Sequence, residues 1–145
     1  MGDIMKKNLA KELLSTFTML EESISLYKKV ERTYDIPMIL DTNVRENINK
    51  IYELTLKAIR EVLDLEKLDY DKYDINDLIL KGKDIGVLTE EIYELLVSNF
   101  VQFNDLNMYQ QHSVNYLIDW YYENNSEMEN FKNYVKEVWE NKWFN

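Results

Sequence analysis

Only one side chain in this sequence titrates near neutrality by nature, and it closes a helical pattern. His112 is the single histidine, at the end of residues 89–112, TEEIYELLVSNFVQFNDLNMYQQH. An imidazole at that place could shuttle a proton if a carboxylate or amide held it, and Asp105 and Asn104 are the neighbours of the right kind. Asp105 and His112 are seven positions apart, or two helical turns. On a continuous helix they share a face but stand roughly 10 Å from each other. The plainer reading of His112 is an exposed or loop-edge histidine, which leaves His112 and Asp105 as weak catalytic candidates. Asn104, Asp105, Met108, Tyr109, Gln111 and His112 together form the candidate binding or interface segment. Asn104, Asp105, Asn107 and Gln111 could line a polar groove at a bundle or dimer centre, or form a solvated helix face.

Charge constrains what that segment could bind. From Lys83 to Lys132 no lysine or arginine intervenes, while Asp84, Glu90, Glu91, Glu94, Asp105, Asp119, Glu123, Glu127 and Glu129 contribute nine negative charges. The whole chain carries −10. Direct nucleic-acid binding at residues 84–131 is therefore not expected, because phosphate recognition needs local cations. Glu90, Glu91, Glu94, Asp119 and Glu123 instead suggest a face for a basic protein, or one that mimics nucleic acid.

Other chemistries are excluded by composition. The absence of cysteine rules out disulfides, thiolate catalysis and cysteine-bearing zinc sites, and one histidine rules out a polyhistidine metal centre. Six acids lie between Asp64 and Asp77. Their Asp69-x-Asp71 spacing lacks the mid-loop glycine and terminal glutamate of a calcium-binding EF-hand, so they read as a solvated connector. No metal and no cofactor is called for. The aromatics Trp120, Tyr121, Tyr122, Tyr134, Trp139, Trp143 and Phe144 could stack nucleobases. Without interleaved basic residues they fit a core or subunit interface better.

The elements that must position these residues are helical. Three glycines and one proline in 145 residues supply too few turns for an all-β fold. Length points to one domain over residues 1–145, large enough to bury a core. Leu9, Leu13, Phe17, Leu20, Ile24 and Tyr27 step by three and four, predicting a first helix over residues 4–31. Asp35-Ile36-Pro37 breaks it. Asp41-Thr42-Asn43 offers caps for a second helix, whose stripe runs from Val44 through Ile48, Ile51, Tyr52, Leu56, Ile59 and Val62 to Leu63. These two helices should pack antiparallel. A short helix follows, capped by Asp74 and stopped at Gly82. Thr89 caps the next, with Ile92, Leu95, Leu96, Phe100, Phe103 and Leu106 inward. Val114, Leu117, Ile118 and Tyr121 resume the pattern after Gln110–Ser113, as one bent helix or two. Ser126 with Glu129 reads as a capping box opening a last helix, with Phe131, Tyr134, Val135, Val138 and Trp139 inward. The expected fold is all-α: an antiparallel helical bundle of four to five main helices plus a short helix.

No apolar run reaches the ~20 residues of a membrane span. The opening MGDIMKKNLAKELL has neither an uninterrupted apolar core nor the serine or threonine of a myristoylation site. A cytoplasmic protein is expected.

Two stretches carry a family likeness. Residues 44–64, VRENINKIYELTLKAIREVLD, resemble the second helix of the HEPN superfamily. Residues 78–109, LILKGKDIGVLTEEIYELLVSNFVQFNDLNMY, resemble that family's glycine turn, helix and motif, close to the HepT-like toxins. In the best register Asn104 stands where the family's ribonucleases have arginine, and Asp105 where they have asparagine. Tyr109 stands at the histidine and Gln111 at the following tyrosine. Asn104 and Tyr109 can offer hydrogen bonds but neither a cation nor a near-neutral proton carrier. The resemblance thus implies a non-catalytic homodimer, a protein-interaction or regulatory partner of a nucleotidyltransferase-type protein. An acidic inhibitor or immunity-type protein that binds a basic nucleic-acid enzyme is the alternative, and a degenerate ribonuclease using His112 the third.

Overall fold

The computed structural model describes residues 8–30, 38–100 and 113–144, and within them the chain is an all-α helical bundle. Helix α1 is Leu9–Val30 and α2 is Met38–Leu65. The short α3 is Ile75–Asp84, and α4, Glu90–Leu95, continues into a π-helical turn, Leu96–Phe100. Then come α5, Val114–Glu123, and α6, Asn125–Tyr134. A second π-helical turn, Val135–Trp139, leads from α6 into the three-residue α7, Glu140–Lys142. No described helix is long and apolar enough to cross a membrane.

All six apolar residues of the predicted α1 stripe are buried, as are all eight of α2. The pair is antiparallel: Met19 and Ser23 share a cleft with Asn43 and Asn47, and Leu26 shares it with Leu40. Asn47 Nδ2 donates to Ser23 Oγ at 3.1 Å across this seam. Thr55 is fully buried, and its hydroxyl donates to the Ile51 carbonyl at 2.7 Å, so neither group is left unsatisfied in the core.

Several boundaries differ from the sequence expectation. Asn8 caps α1 by accepting from the Lys11 amide at 3.1 Å, so this helix starts at Leu9, and residues 4–7 of the expected helix lie outside the described residues. Helix α2 begins at Met38, which puts Asp41 in the first turn instead of at the cap. Leu40 extends the buried stripe by one turn, and Asp41 pairs with Arg45 at 2.5 Å, an i,i+4 contact available only inside a helix. Helix α3 is capped as expected, with Asp74 and Asp77 exchanging side-chain bonds to each other's amides. It runs past Gly82, however. Gly82 is buried against α2, where an added Cβ would stand 2.7 Å from Ile59 Cδ1. The stop is Gly86, at φ +87°. There the Val87 amide reaches back to the Gly82 carbonyl at 2.9 Å, and the Gly86 amide reaches the Lys83 carbonyl at 3.1 Å. Those two bonds form a Schellman closure.

The same closure ends α2 with a lysine at its left-handed position. Lys67 has φ 58°, the Leu68 amide bonds the Leu63 carbonyl at 2.9 Å, and the Lys67 amide bonds the Asp64 carbonyl at 3.1 Å. The acids that follow are exposed. Asp69 accepts from the Asp71 amide at 3.0 Å, and Asp64 accepts from the Tyr70 hydroxyl at 3.2 Å. Burial and the neighbouring Asp64 carboxylate raise the Tyr70 pKa above its ordinary value.

Helix α6 opens at Asn124, and Ser126 is an exposed residue of its first turn rather than its cap. Asn124 Nδ2 is committed to the Trp120 carbonyl at 2.9 Å, which closes α5, so one residue joins two helices with no room for a separate capping box. Along α6 and the turn after it, Met128, Phe131, Val135 and Trp139 are fully buried. Their rings join the two halves of the molecule. Phe17 meets Phe131 edge-on at 5.4 Å, Phe131 meets Trp139 at 6.0 Å, and Trp139 meets Phe144 at 5.9 Å. Trp139 Nε1 donates to the Val87 carbonyl at 2.7 Å, and the Tyr134 hydroxyl donates to the Gly86 carbonyl.

Candidate functional site

The segment singled out by the only histidine, Asn104, Asp105, Met108, Tyr109, Gln111 and His112, lies outside the described residues, as do Phe103 and Leu106. Its two shoulders are described. On the near side Thr89 caps α4, its hydroxyl accepting from the Ile92 amide at 3.1 Å. Glu90 and Glu91 occupy the first turn, where the helix dipole favours negative charge. The π-helical turn Leu96–Phe100 then widens the winding at the end of α4. On the far side Ser113 is extended, at φ −68° and ψ 158°, and its hydroxyl accepts from the Tyr116 amide. Residues 89–122 are therefore not one continuous helix.

Three of the five acids proposed as a partner face are brought together. Glu91 and Glu94 of α4 face Glu127 and Asn130 of α6 across a cleft of about 520 Å³ that also includes Ser98 and Asn124. Asn130 Nδ2 donates to Glu91 Oε2 at 3.3 Å and fixes one wall. The groove runs on along the same two helices into a second cleft of about 390 Å³, where Glu90 and Glu91 meet Asn133, Tyr134 and Glu137. Lys83 stands at its edge, 3.4 Å from Glu90 and 4.5 Å from the Tyr93 ring centre. Asp119 and Glu123 are exposed on α5 but line neither cleft.

Glu127 and Glu137 are the groove carboxylates outside the five residues that the sequence marked as a partner face. Their signal was weak, since only the packing of α6 against α4 brings them opposite Glu91 and Glu90. Carboxylates and amides arranged in this way can accept hydrogen bonds from guanidinium or ammonium groups and donate in return through the amides. Among the described residues no group of three histidine, aspartate or glutamate side chains is placed to hold a metal ion.

A second polar cluster ties α1 to α5 and α6. Lys132 bonds Glu21 at 2.6 Å and Glu129 at 3.0 Å, and the Tyr121 hydroxyl donates to Glu21 at 3.3 Å. Burial alone would lower the Lys132 pKa, but the bonds and charges of Glu21 and Glu129 outweigh it and hold the ammonium above the usual lysine range. Burial, reinforced by the Glu21 carboxylate, raises the Tyr121 phenol well above its ordinary value, and burial raises Tyr134 as well. All three groups keep their neutral-pH charge state, a structural assignment rather than that of a poised acid or base.

No protein-family model, curated protein or solved structure matches the chain.

Proposed function

We propose that this protein is a non-catalytic helical interaction module, HEPN-like in build, that acts by binding and regulating another protein. The observation that carries the reading is the groove between α4 and α6, where Glu91, Glu94 and Glu127 converge on solvent. A basic segment of the partner docks there. Association is steered by charge and weakens as salt is added. The HEPN-like form of the reading draws support from the order of elements. A long antiparallel hairpin is followed by a short helix, a glycine turn at Gly86 and a threonine-capped helix. That form carries with it a homodimer and a nucleotidyltransferase-type partner.

The second reading is an acidic inhibitor or immunity-type protein that blocks a basic nucleic-acid enzyme, and it uses the same groove. The two separate by assembly. Size-exclusion chromatography with light scattering gives a dimer under the first reading, and a clean monomer removes it in favour of the second.

The groove itself is tested with an arginine-rich synthetic peptide followed by fluorescence anisotropy. Reversing Glu91, Glu94 and Glu127 to lysine is expected to weaken binding by about tenfold or more, a loss of ~1.4 kcal/mol or greater. Reversing Glu22, Glu46 and Glu53 on the exposed face of the hairpin alters net charge equally and should leave most of the affinity intact. Equal losses from the two triple variants would mean that only net charge attracts the peptide, and the groove would have no part in it.

A further inference from the structure

The outer edge of the acidic groove already holds a cation. Lys83, in the last turn of α3, has its Nζ 3.4 Å from Glu90 Oε2 and 4.5 Å from the centre of the Tyr93 ring. Glu90 and Tyr93 are three positions apart on α4, so the carboxylate and the ring lie on one side of the helix. Together they form a seat for one positive side chain. The ring offers its negative face, and the carboxylate offers a charged acceptor. The surroundings hold the seat in place. Thr89 caps α4 just before Glu90, the Val87 amide closes α3 on the Gly82 carbonyl, and Tyr93 packs against the core.

The seat is continuous with the groove. The Glu90 side chain is 65% exposed, and it lines the outer α4–α6 cleft beside Glu91 and Glu137. An exposed pair such as Lys83–Glu90 contributes little to stability, so it can be exchanged for another at small cost. The exchange favours arginine. A guanidinium is planar and less strongly hydrated than an ammonium, so it stacks on an aromatic face while its fork bonds a carboxylate. A lysine from an incoming chain only replaces like with like.

We propose that Lys83 is an internal stand-in for an arginine of the partner: it fills the Glu90–Tyr93 seat in the free protein, and the partner's arginine displaces it on docking. The proposal rests on the groove being the docking site. It adds the kind of residue recognised at one end of that site, and a built-in competitor that sets the affinity. Lys83 also complements the negative end of α3, a role that needs no partner. A substitution that keeps the charge but changes its shape separates the two roles.

The test uses the full-length protein and two synthetic peptides of equal length and charge, one with arginine and one with lysine as its basic residue. Fluorescence anisotropy gives the affinities. NMR of labelled lysine follows the Lys83 side-chain methylenes, which the Tyr93 ring shifts upfield. The arginine peptide should bind the parent about threefold or more tightly than the lysine peptide, the scale of one exposed cation–ring contact. At saturation the Lys83 signals should move to the position of an exposed lysine. K83Q should tighten arginine-peptide binding by about threefold, and K83R, which leaves net charge unchanged, should weaken it by a similar factor. Lys50→Gln changes net charge as K83Q does, at an exposed residue of the hairpin that lines neither cleft of the groove, and should have a smaller effect. Y93L should remove the preference for arginine. The proposal is overturned if the arginine peptide binds while the Lys83 signals stay in place, if K83Q and K50Q act alike, or if the parent binds both peptides equally. Failure of both peptides to bind the parent at all removes the groove as a docking site, and this proposal with it.

Discussion

The α1–α2 hairpin and the segment from α4 to α7 are both helical, yet they are held by different means. The hairpin consists of helices of 22 and 28 residues whose inward stripes are apolar almost without interruption. Among the described residues, the later segment has helices of six, ten, ten and three residues with two π-helical turns among them. Burial along a regular surface suffices for the first. The second depends on individual bonds: caps at Thr89 and Ser113, the Trp139 indole on Val87, and the Lys132 bridges to Glu21 and Glu129. The broken half lines the acidic groove by itself, while the hairpin holds a cleft between its own two helices.

The strongest way to break this contrast is to show that the halves unfold separately. Phe131 is fully buried and touches both Phe17 and Trp139. Phe131→Ala is expected to cost about 3–5 kcal/mol. It should do so in one cooperative urea transition, followed by circular dichroism and tryptophan fluorescence together. Two separated transitions would mean that the hairpin stands by itself.

Gly82→Val comes next in size. The added Cβ meets Ile59 Cδ1 at 2.7 Å and Cγ1 at 2.9 Å, at a side chain that is itself fully buried. A loss of about 1–3 kcal/mol is expected from chemical denaturation. An unchanged midpoint would show that α3 can slide on α2 without penalty.

The two Schellman closures give a matched pair of opposite sign. Gly86→Ala places a Cβ on a left-handed backbone and should destabilise by about 1–2 kcal/mol. Lys67→Gly relieves the same strain at the end of α2 and should stabilise by up to about 1 kcal/mol. Thermal melts of the two variants should move in opposite directions.

The smallest effect changes with pH only in alkali. Burial first, and then Glu21, raises the Tyr121 pKa in the folded protein. The unfolded phenol loses its proton near pH ~10, while the folded one still holds it. This contribution is full below that pH and declines as pH rises toward the folded value. Lys132, raised by Glu21 and Glu129 against its own burial, declines in the same window. Tyr121→Phe should therefore flatten the fall in stability above pH ~10 while costing about 1 kcal/mol at neutrality. A fall as steep as the parent's would assign the alkaline loss to other groups.

The same contrast governs what could be read from the sequence. The stripes of α1 and α2 were legible residue by residue, because burial along a long helix is written in periodicity. So were the caps Asp74 and Thr89, whose side chains act within three residues. The role of Gly82 was not, since it depends on the approach of Ile59 from another helix, and the real stop lay four residues further at Gly86. Ser126 and Glu129 had capping-box spacing, but Asn124 was already engaged with Trp120, and Glu129 turned to Lys132. In the acidic face the exposure of all five named residues was legible from charge. The pairing of Glu91 and Glu94 with Glu127 required knowing how α6 lies on α4.

The glycine turn also imposes an order on synthesis. The carbonyls of Gly86 and Val87 take their side-chain donors from Tyr134 and Trp139, and Val87 is 52 residues ahead of its partner. At a ribosomal pace of ~5–20 residues per second, Trp139 follows Val87 by roughly 3–10 s. Throughout that interval the hairpin is complete in sequence, but Phe17 has no Phe131 to cover it. A chain halted between α4 and α6 exposes an unfinished core, which makes this the stretch of synthesis where a chaperone has most to hold.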